Sequence, residues 1–210
     1  ALASAQTDFE IATKKYLQDV NSKKVASLYE KSCKSDKNAV SCYMAASIKS
    51  LAIYDQDSAD MQSEILSQAL ALYKNACELG YARGCEAAGD LYDAPTLQDE
   101  TGADETGGKK SAEFYEKACE GKVGVACARV AGYYDEGRGT EQNLAKASKF
   151  YETACKYEDA SGCHALADMY EKGEGIKKDA TKAMDFYGLA CDYGSRGACA
   201  DFRKLYKNKK

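Results

Sequence analysis

Lys146-Ala147-Ser148-Lys149-Phe150-Tyr151-Glu152-Thr153-Ala154-Cys155 is followed, seven residues later, by Cys163-His164-Ala165-Leu166-Ala167-Asp168-Met169-Tyr170-Glu171-Lys172-Gly173-Glu174-Gly175. Phe186-Tyr187-Gly188-Leu189-Ala190-Cys191 and then Cys199 repeat this reading with a 36-residue period. A fixed period of that size marks stacked helical hairpins.

Followed backwards, the unit covers most of the chain. Ten cysteines fall into five pairs: Cys33 with Cys42, Cys77 with Cys85, Cys119 with Cys127, Cys155 with Cys163, and Cys191 with Cys199. Four residues before each first cysteine stands a tyrosine (Tyr29, Tyr73, Tyr115, Tyr151, Tyr187), and five before it a Leu or Phe. Residues eight apart on one straight helix lie about 12 Å apart, whereas a disulfide needs Cα atoms within about 7 Å. The chain must turn between partners, so each pair staples the end of one helix, B, to the start of the next, A. Structural zinc is the alternative use of paired thiols. It needs four ligands at one ion, which hairpins stacked about 10 Å apart do not readily offer. Complete pairing therefore points to disulfides and an oxidising compartment.

The expected fold is all-α: an α/α solenoid of about five hairpins, tetratricopeptide-like, each with one disulfide. Residues 1–22 form an N-terminal helix or cap, with the helix over 7–20. The solenoid runs from 23 to 210 in units near 23–57, 58–94, 109–140, 144–176 and 180–210. B helices are placed at 23–33, 59–79 (capped by Asp57 or Ser58), 111–120, 144–156 and 180–192. A helices are placed at 42–53, 85–92, 127–136, 163–172 and 199–207. The Gly- and acid-rich stretch 94–108 reads as an exposed loop. Gly137-Arg138-Gly139 and Gly173-Glu174-Gly175 end A helices, with Asn143 and Asp179 capping the helices that follow. With no strand before them and no Lys-Ser/Thr after, these glycines do not form a phosphate loop.

Composition excludes several classes. A formal charge of −4 with mixed signs argues against a nucleic-acid surface. No apolar run reaches the length of a membrane span. The opening Ala1-Leu2-Ala3-Ser4-Ala5 resembles the small-residue end of a removed secretory signal. A periplasmic or secreted monomer without cofactor or metal is expected.

Placed at 100° per residue, the A helices carry a core stripe at the second cysteine and three, four and seven residues beyond it. A further apolar column six residues on (Ile48, Leu91, Tyr133, Met169, Leu205) can pack between hairpins. The opposite flank collects Glu86, Asp90, Asp93, Asp135, His164, Asp168 and Glu171, while Lys24, Gln68, Lys110, Lys146 and Lys182 recur on the B helices. The signs are expected to segregate by face, giving an acidic ladder that lines a groove for a basic or amide-rich protein or peptide segment. A solvated face kept soluble by charge is the plainer alternative.

Lys-Ala-x-x-Phe-Tyr-x-x-Ala-Cys, a seven-residue link and Cys-x-x-Leu-Ala-x-x-Tyr-x-x-Gly-x-Gly, over 146–175, resemble the SEL-one-like repeat in its disulfide-bridged form, as in the Helicobacter cysteine-rich proteins. The resemblance extends over about 23–207 and is strongest from Ser111 onward. It implies an α/α superhelix, export and one disulfide per hairpin. It also implies an alternative function, penicillin binding or weak β-lactam hydrolysis, with β-lactam or peptidoglycan-derived ligands. The residues give that chemistry little to use. No serine has a lysine three residues on, no thiol is spare for zinc, and the single histidine, His164, reads as a surface side chain that can pair with Asp168. Haem binding, suggested by a mitochondrial relative of the repeat class, would rest on that same histidine. Thiol exchange would require a strained pair.

Overall fold

Five disulfides, one per repeat, set the geometry of the helical hairpins. Cys33 is bonded to Cys42, Cys77 to Cys85, Cys119 to Cys127, Cys155 to Cys163 and Cys191 to Cys199, with paired Cα atoms 4.5–4.8 Å apart. The computed structural model describes residues 23–55, 58–94 and 105–208. Among these residues it contains ten α-helices, one 3-10 segment (Ala52–Asp55) and no strand. The expected opening helix over 7–20, the Asp57 cap, most of the 94–108 loop and the last two lysines lie outside the described residues. Helices α1 (Lys23–Asp36), α2 (Ala39–Leu51), α3 (Ala59–Glu78) and α4 (Ala82–Asp93) belong to one compact unit. A second holds α5 (Glu105–Glu120), α6 (Gly124–Glu136), α7 (Leu144–Lys156), α8 (Ala160–Lys172), α9 (Ala180–Asp192) and α10 (Arg196–Asn208). Within each unit every helix packs on the next, and α2 on α4, like α6 on α8, also touches across the intervening B helix. That pattern is the stacking of a solenoid.

The cysteine turn is built from three coincident devices. At the end of α7, Glu158 N–H donates to Cys155 C=O and Asp159 N–H to Ala154 C=O, with Glu158 left-handed at φ 61°. This is a Schellman closure, which satisfies the last carbonyls of the helix. Asp159, which completes it, is also the N-cap of α8, its carboxylate accepting from Gly162 N–H at 2.8 Å. The same backbone closure recurs around Gly80, Lys122 and Gly194. Finally, the helices close on small side chains. A Cβ added at Gly84 would stand 2.6 Å from the Ala76 Cβ, and one at Gly162 would meet Ala154. In the first hairpin the matching pair is Ser32 and Ser41, buried and hydrogen-bonded to each other at 2.9 Å.

Sharing the cap residue with the closure moves every A helix forward. The sequence spacing puts their starts at Cys42, Cys85, Cys127, Cys163 and Cys199. The helices instead begin three residues earlier, at Ala39, Ala82, Gly124, Ala160 and Arg196, so each second cysteine lies within the first turn. Helix α5 also begins earlier, at Glu105, taking Gly107 and Gly108 out of the expected loop. Gly108 is where the turn at Gly139 presses its backbone: a Cβ on Gly139 (φ 65°) would overlap Gly108 and Lys109. Gly137 and Gly173 end α6 and α8 in the left-handed conformation, and Asn143 and Asp179 cap α7 and α9 as expected. Ser58 occupies the N-cap of α3, but its side chain makes no capping bond.

The core follows the repeat columns. Cys42, Cys85, Cys127 and Cys163 are buried, and so are Ala45, Ala88, Val130 and Leu166 three residues beyond them. Ile48, Tyr133 and Met169, six residues past their cysteines, are buried too. The tyrosines seven residues on sit at the edge instead, where Tyr134 and Tyr170 stack on Phe150 and Phe186 of the following helix with planes 3° apart. Replacing Cys155 and Cys163 together by serine is expected to lower stability by about 2–3 kcal/mol through loop-closure entropy. Glu158→Gly, which relieves the left-handed backbone, should raise stability by up to about 1 kcal/mol. Chemical denaturation followed by circular dichroism measures both.

Candidate functional site

The repeated tyrosine of each B helix is buried at its ring and needs a partner for its hydroxyl. In the second unit it is acidic for Tyr151 and Tyr187, whereas Tyr115 accepts from Arg129 at 3.0 Å. Tyr187 on α9 donates to Asp168 at 2.5 Å and lies 2.7 Å from Glu171, both on α8. Tyr151 on α7 lies 3.5 Å from Asp135, which stands near the end of α6. Burial, then the hydrogen-bonded carboxylates, raise the Tyr187 hydroxyl far above its ordinary range. Burial, then the charges of Asp135 and Glu136, do the same for Tyr151. Both phenols therefore stay neutral and act as donors. Asp168 and Glu171, one helical turn apart, are both half-buried, the Asp168 side chain being 41% exposed. An ionised carboxylate accepts at about four lone-pair positions, so the single Tyr187 proton, given to one of the two at a time, leaves acceptor capacity for a ligand.

His164 joins this group. Its Nε2 stands 3.2 Å from Asp201 on α10 and 3.8 Å from Asp168, and its Nδ1 is 3.4 Å from the Ser195 hydroxyl. The ring packs edge-on against Tyr187 at 5.5 Å, and Gly197 leaves room for it: a Cβ there would come within 3.1 Å of the imidazole. His164 is thus half-buried between α8, α9 and α10. The Asp168 pairing expected from the four-residue spacing is the longer of its two acidic contacts. Asp201 and Ser195 carry no repeat signal, which is why they were not legible as members. Ser195, His164 and Asp201 lie in the order of a nucleophilic triad, but the Ser195 hydroxyl also accepts from Ala198 N–H at 3.3 Å as the start of α10.

Of the seven acidic-flank residues, Asp135, His164, Asp168 and Glu171 belong to the second unit, the last three meeting around Tyr187. Glu86, Asp90 and Asp93 lie half-buried on α4 of the first unit. There the B-helix tyrosine uses a neutral partner, Tyr73 donating to Ser47 at 3.2 Å.

Two cations of the lysine column, Lys146 and Lys182, lie against tyrosines of the preceding A helix. Lys146 bonds Glu116 at 2.9 Å and the Tyr134 hydroxyl at 2.5 Å, and sits 3.9 Å over the Tyr134 ring. Burial alone would lower the Lys146 ammonium, yet the Tyr134 and Glu116 bonds outweigh it and hold the group above its usual value. Lys49 likewise pairs with Glu30 at 2.8 Å. A polar cleft of about 440 Å³ opens beside this cluster, lined by Lys109, Glu113, Glu116, Tyr134, Thr140 and Lys146. Among the described residues, no group of three or more His, Cys, Asp or Glu is placed to hold a metal ion. No helix among them is long and apolar enough to cross a membrane.

The tyrosine–carboxylate bonds set a pH dependence. A phenol whose ionisation is raised in the folded state keeps its proton after the unfolded chain, near pH 10, has lost it. The stability this gives is complete below about pH 10 and is lost as pH rises beyond it. Tyr187→Phe should lower stability at neutral pH by about 1–3 kcal/mol and flatten the decline above pH 10. Urea midpoints at pH 7, 9 and 10.5 test this.

The Sel1 repeat model matches residues 66–81, 107–123, 124–156 and 160–195. Among solved structures, a Sel1 repeat protein from Oxalobacter formigenes is similar over 87% of this chain and 70% of its own, at 21% identity and TM-score 0.68. Helicobacter pylori cysteine rich protein B is similar over 66% of this chain and 95% of its own, at 28% identity and TM-score 0.50. A protective antigen of uropathogenic Escherichia coli displaying an SLR fold covers 98% of this chain with 50% of its own length, at 16% identity and TM-score 0.52. The sequence matches no curated protein. The repeat matches, the helical stacking and the five disulfides within hairpins agree: the chain carries Sel1 repeats and folds as a Sel1-repeat solenoid with one disulfide per repeat.

Proposed function

We propose that this Sel1-repeat scaffold is an exported binding protein, periplasmic or secreted, whose second unit captures a basic or amide-rich peptide segment on the carboxylates of α6 and α8. Five structural disulfides, which persist in oxidising compartments, support export. The observation that carries the binding reading is the convergence of Asp168 and Glu171 on one phenol, at 2.5 and 2.7 Å. Two side chains that would otherwise sample many rotamers are held in place before any partner arrives, which lowers the ordering cost of binding. Asp135, 3.5 Å from the Tyr151 hydroxyl and so more loosely held, continues the acceptor row. Arginine fits such a row best, because its planar donors match carboxylates in pairs.

The test is fluorescence anisotropy with a labelled peptide of alternating arginine and glycine. Asp135→Asn, Asp168→Asn and Glu171→Gln together should weaken binding at least roughly tenfold, with the helical circular dichroism unchanged. Equal affinity for the triple variant would contradict the reading.

A second reading, β-lactam hydrolysis, draws on the line of Ser195, His164 and Asp201. The capping bond of Ser195 ties the hydroxyl to the start of α10, so peptide capture is the preferred function. A chromogenic cephalosporin should show no turnover above buffer. Turnover lost in both Ser195→Ala and His164→Gln would establish the hydrolase instead.

A further inference from the structure

In the interior of the second unit, the faces that α6 and α8 offer to the following B helix share a small buried residue, a buried large residue, a stacked tyrosine and one acid, with a second acid, Asp168, on α8 alone. On α8 it comprises Ala167, fully buried, Asp168 and Glu171, which take the Tyr187 hydroxyl, Met169, buried, and Tyr170, stacked on Phe186. On α6 the matching residues are Ala131, Gly132, Asp135, Tyr133 and Tyr134, with Asp135 beside Tyr151 and Tyr134 stacked on Phe150. Thirty-six residues on, α10 offers Arg203, Lys204, Lys207, Leu205 and Tyr206 at the same places. The aromatic and aliphatic positions are kept. The small residue and both acids have become cations.

Most residues of this face are exposed. Tyr206 is 50% exposed, and it stacks on Phe202 of its own helix at 6.2 Å where its counterparts stack on the next one. Leu205 is only half-buried, whereas Met169 is 4% exposed, and Arg203, Lys204 and Lys207 are exposed. A basic residue in a last helical turn also suits the helix dipole. That effect accounts for Lys207 but not for Arg203, or for an apolar seam kept between the cations.

We infer that this face of α10 is a docking surface for an acidic amphipathic helix of a partner protein. Such a helix would lay a Phe against Tyr206, as Phe186 lies against Tyr170, and carry carboxylates where the chain's own B helices carry the tyrosine hydroxyl. The charge change also selects against another repeat of this chain. Its phenol donor, complementary to Asp168 and Glu171, would meet cations instead, and Arg203 stands where Ala167 leaves space for close approach. Specificity thus comes from repulsion as well as attraction. The inference does not rest on the acidic acceptor row, which calls for a partner of opposite charge.

The probe is a peptide of residues 179–192 of this chain, stapled on its solvent face to hold the helix, with Cys191→Ala and with Tyr187→Glu. The intact oxidised protein should bind it roughly tenfold or more tightly than the same peptide retaining Tyr187. The preference should shrink with added salt and vanish in Lys204→Glu/Lys207→Glu, whose exposed positions leave folding intact. Leu205→Gln, checked by thermal melting, should weaken both peptides. Absence of binding at millimolar peptide would overturn the inference and leave α10 a solubilising cap. Equal affinity for the two peptides, or a preference that survives the lysine substitutions, would also overturn it. So would sedimentation showing the face occupied by a second copy. A wild-type response to the arginine–glycine peptide in the lysine variants separates this failure from failure of the acidic row.

Discussion

The close approach of two helices at each cysteine turn governs the rest of the structure. A left-handed residue, a cap shared by closing and opening helices, and a pair of side chains no larger than Ser bring the backbones together, and the disulfide locks what sterics permit. At Gly162 even a methyl group would collide with Ala154. The bond and the small residues are thus two expressions of one constraint. Because the turn is short, the crosslink adds only a modest entropic term. It fixes the register between the helices, and with it the direction in which every outward side chain points.

Register is what converts a repeated tyrosine into a functional device. With the hairpin fixed, the phenols of Tyr73, Tyr151 and Tyr187 reach the flank of the preceding A helix, where the acceptor varies, while Tyr115 accepts from Arg129 of the A helix that follows it. Ser47 makes it a neutral contact. Asp135, Asp168 and Glu171 make it a means of holding carboxylates in place at the surface. On α10 the same positions carry lysines, and the sign of the surface inverts. Two columns, five and eight residues past the second cysteine, are thereby read in three ways without disturbing the packing, as expected where each repeat contacts only its neighbours.

Much of this was legible in the spacing. Cysteines too far apart for one helix and too close for anything but a turn gave the hairpin, and the period gave the stacking. The Gly-x-Gly ends and their caps at Asn143 and Asp179 follow from local backbone chemistry and were readable residue by residue. The A-helix starts were not, because Asp159 serves two helices at once and spacing alone assigns it to a link. The same reasoning misplaced the starts ahead of Cys42, Cys85 and Cys127, where the cap again lies inside the apparent link. Nor was the setting of His164 readable, since Asp201 and Ser195 occur in one repeat only and periodic reasoning is blind to a single occurrence. The lysine column was visible, but its coupling to Glu116 is a contact between B helices 30 residues apart, and a face-by-face reading of single helices separates what the fold brings together.

The most direct measurement is peptide mapping of the unreduced protein by mass spectrometry. The account predicts five linked fragments, each joining cysteines eight or nine residues apart, and no free thiol. Alkylatable cysteines, or a bridge from one hairpin to another, would contradict it, because neither the turn nor the register built on it would then exist.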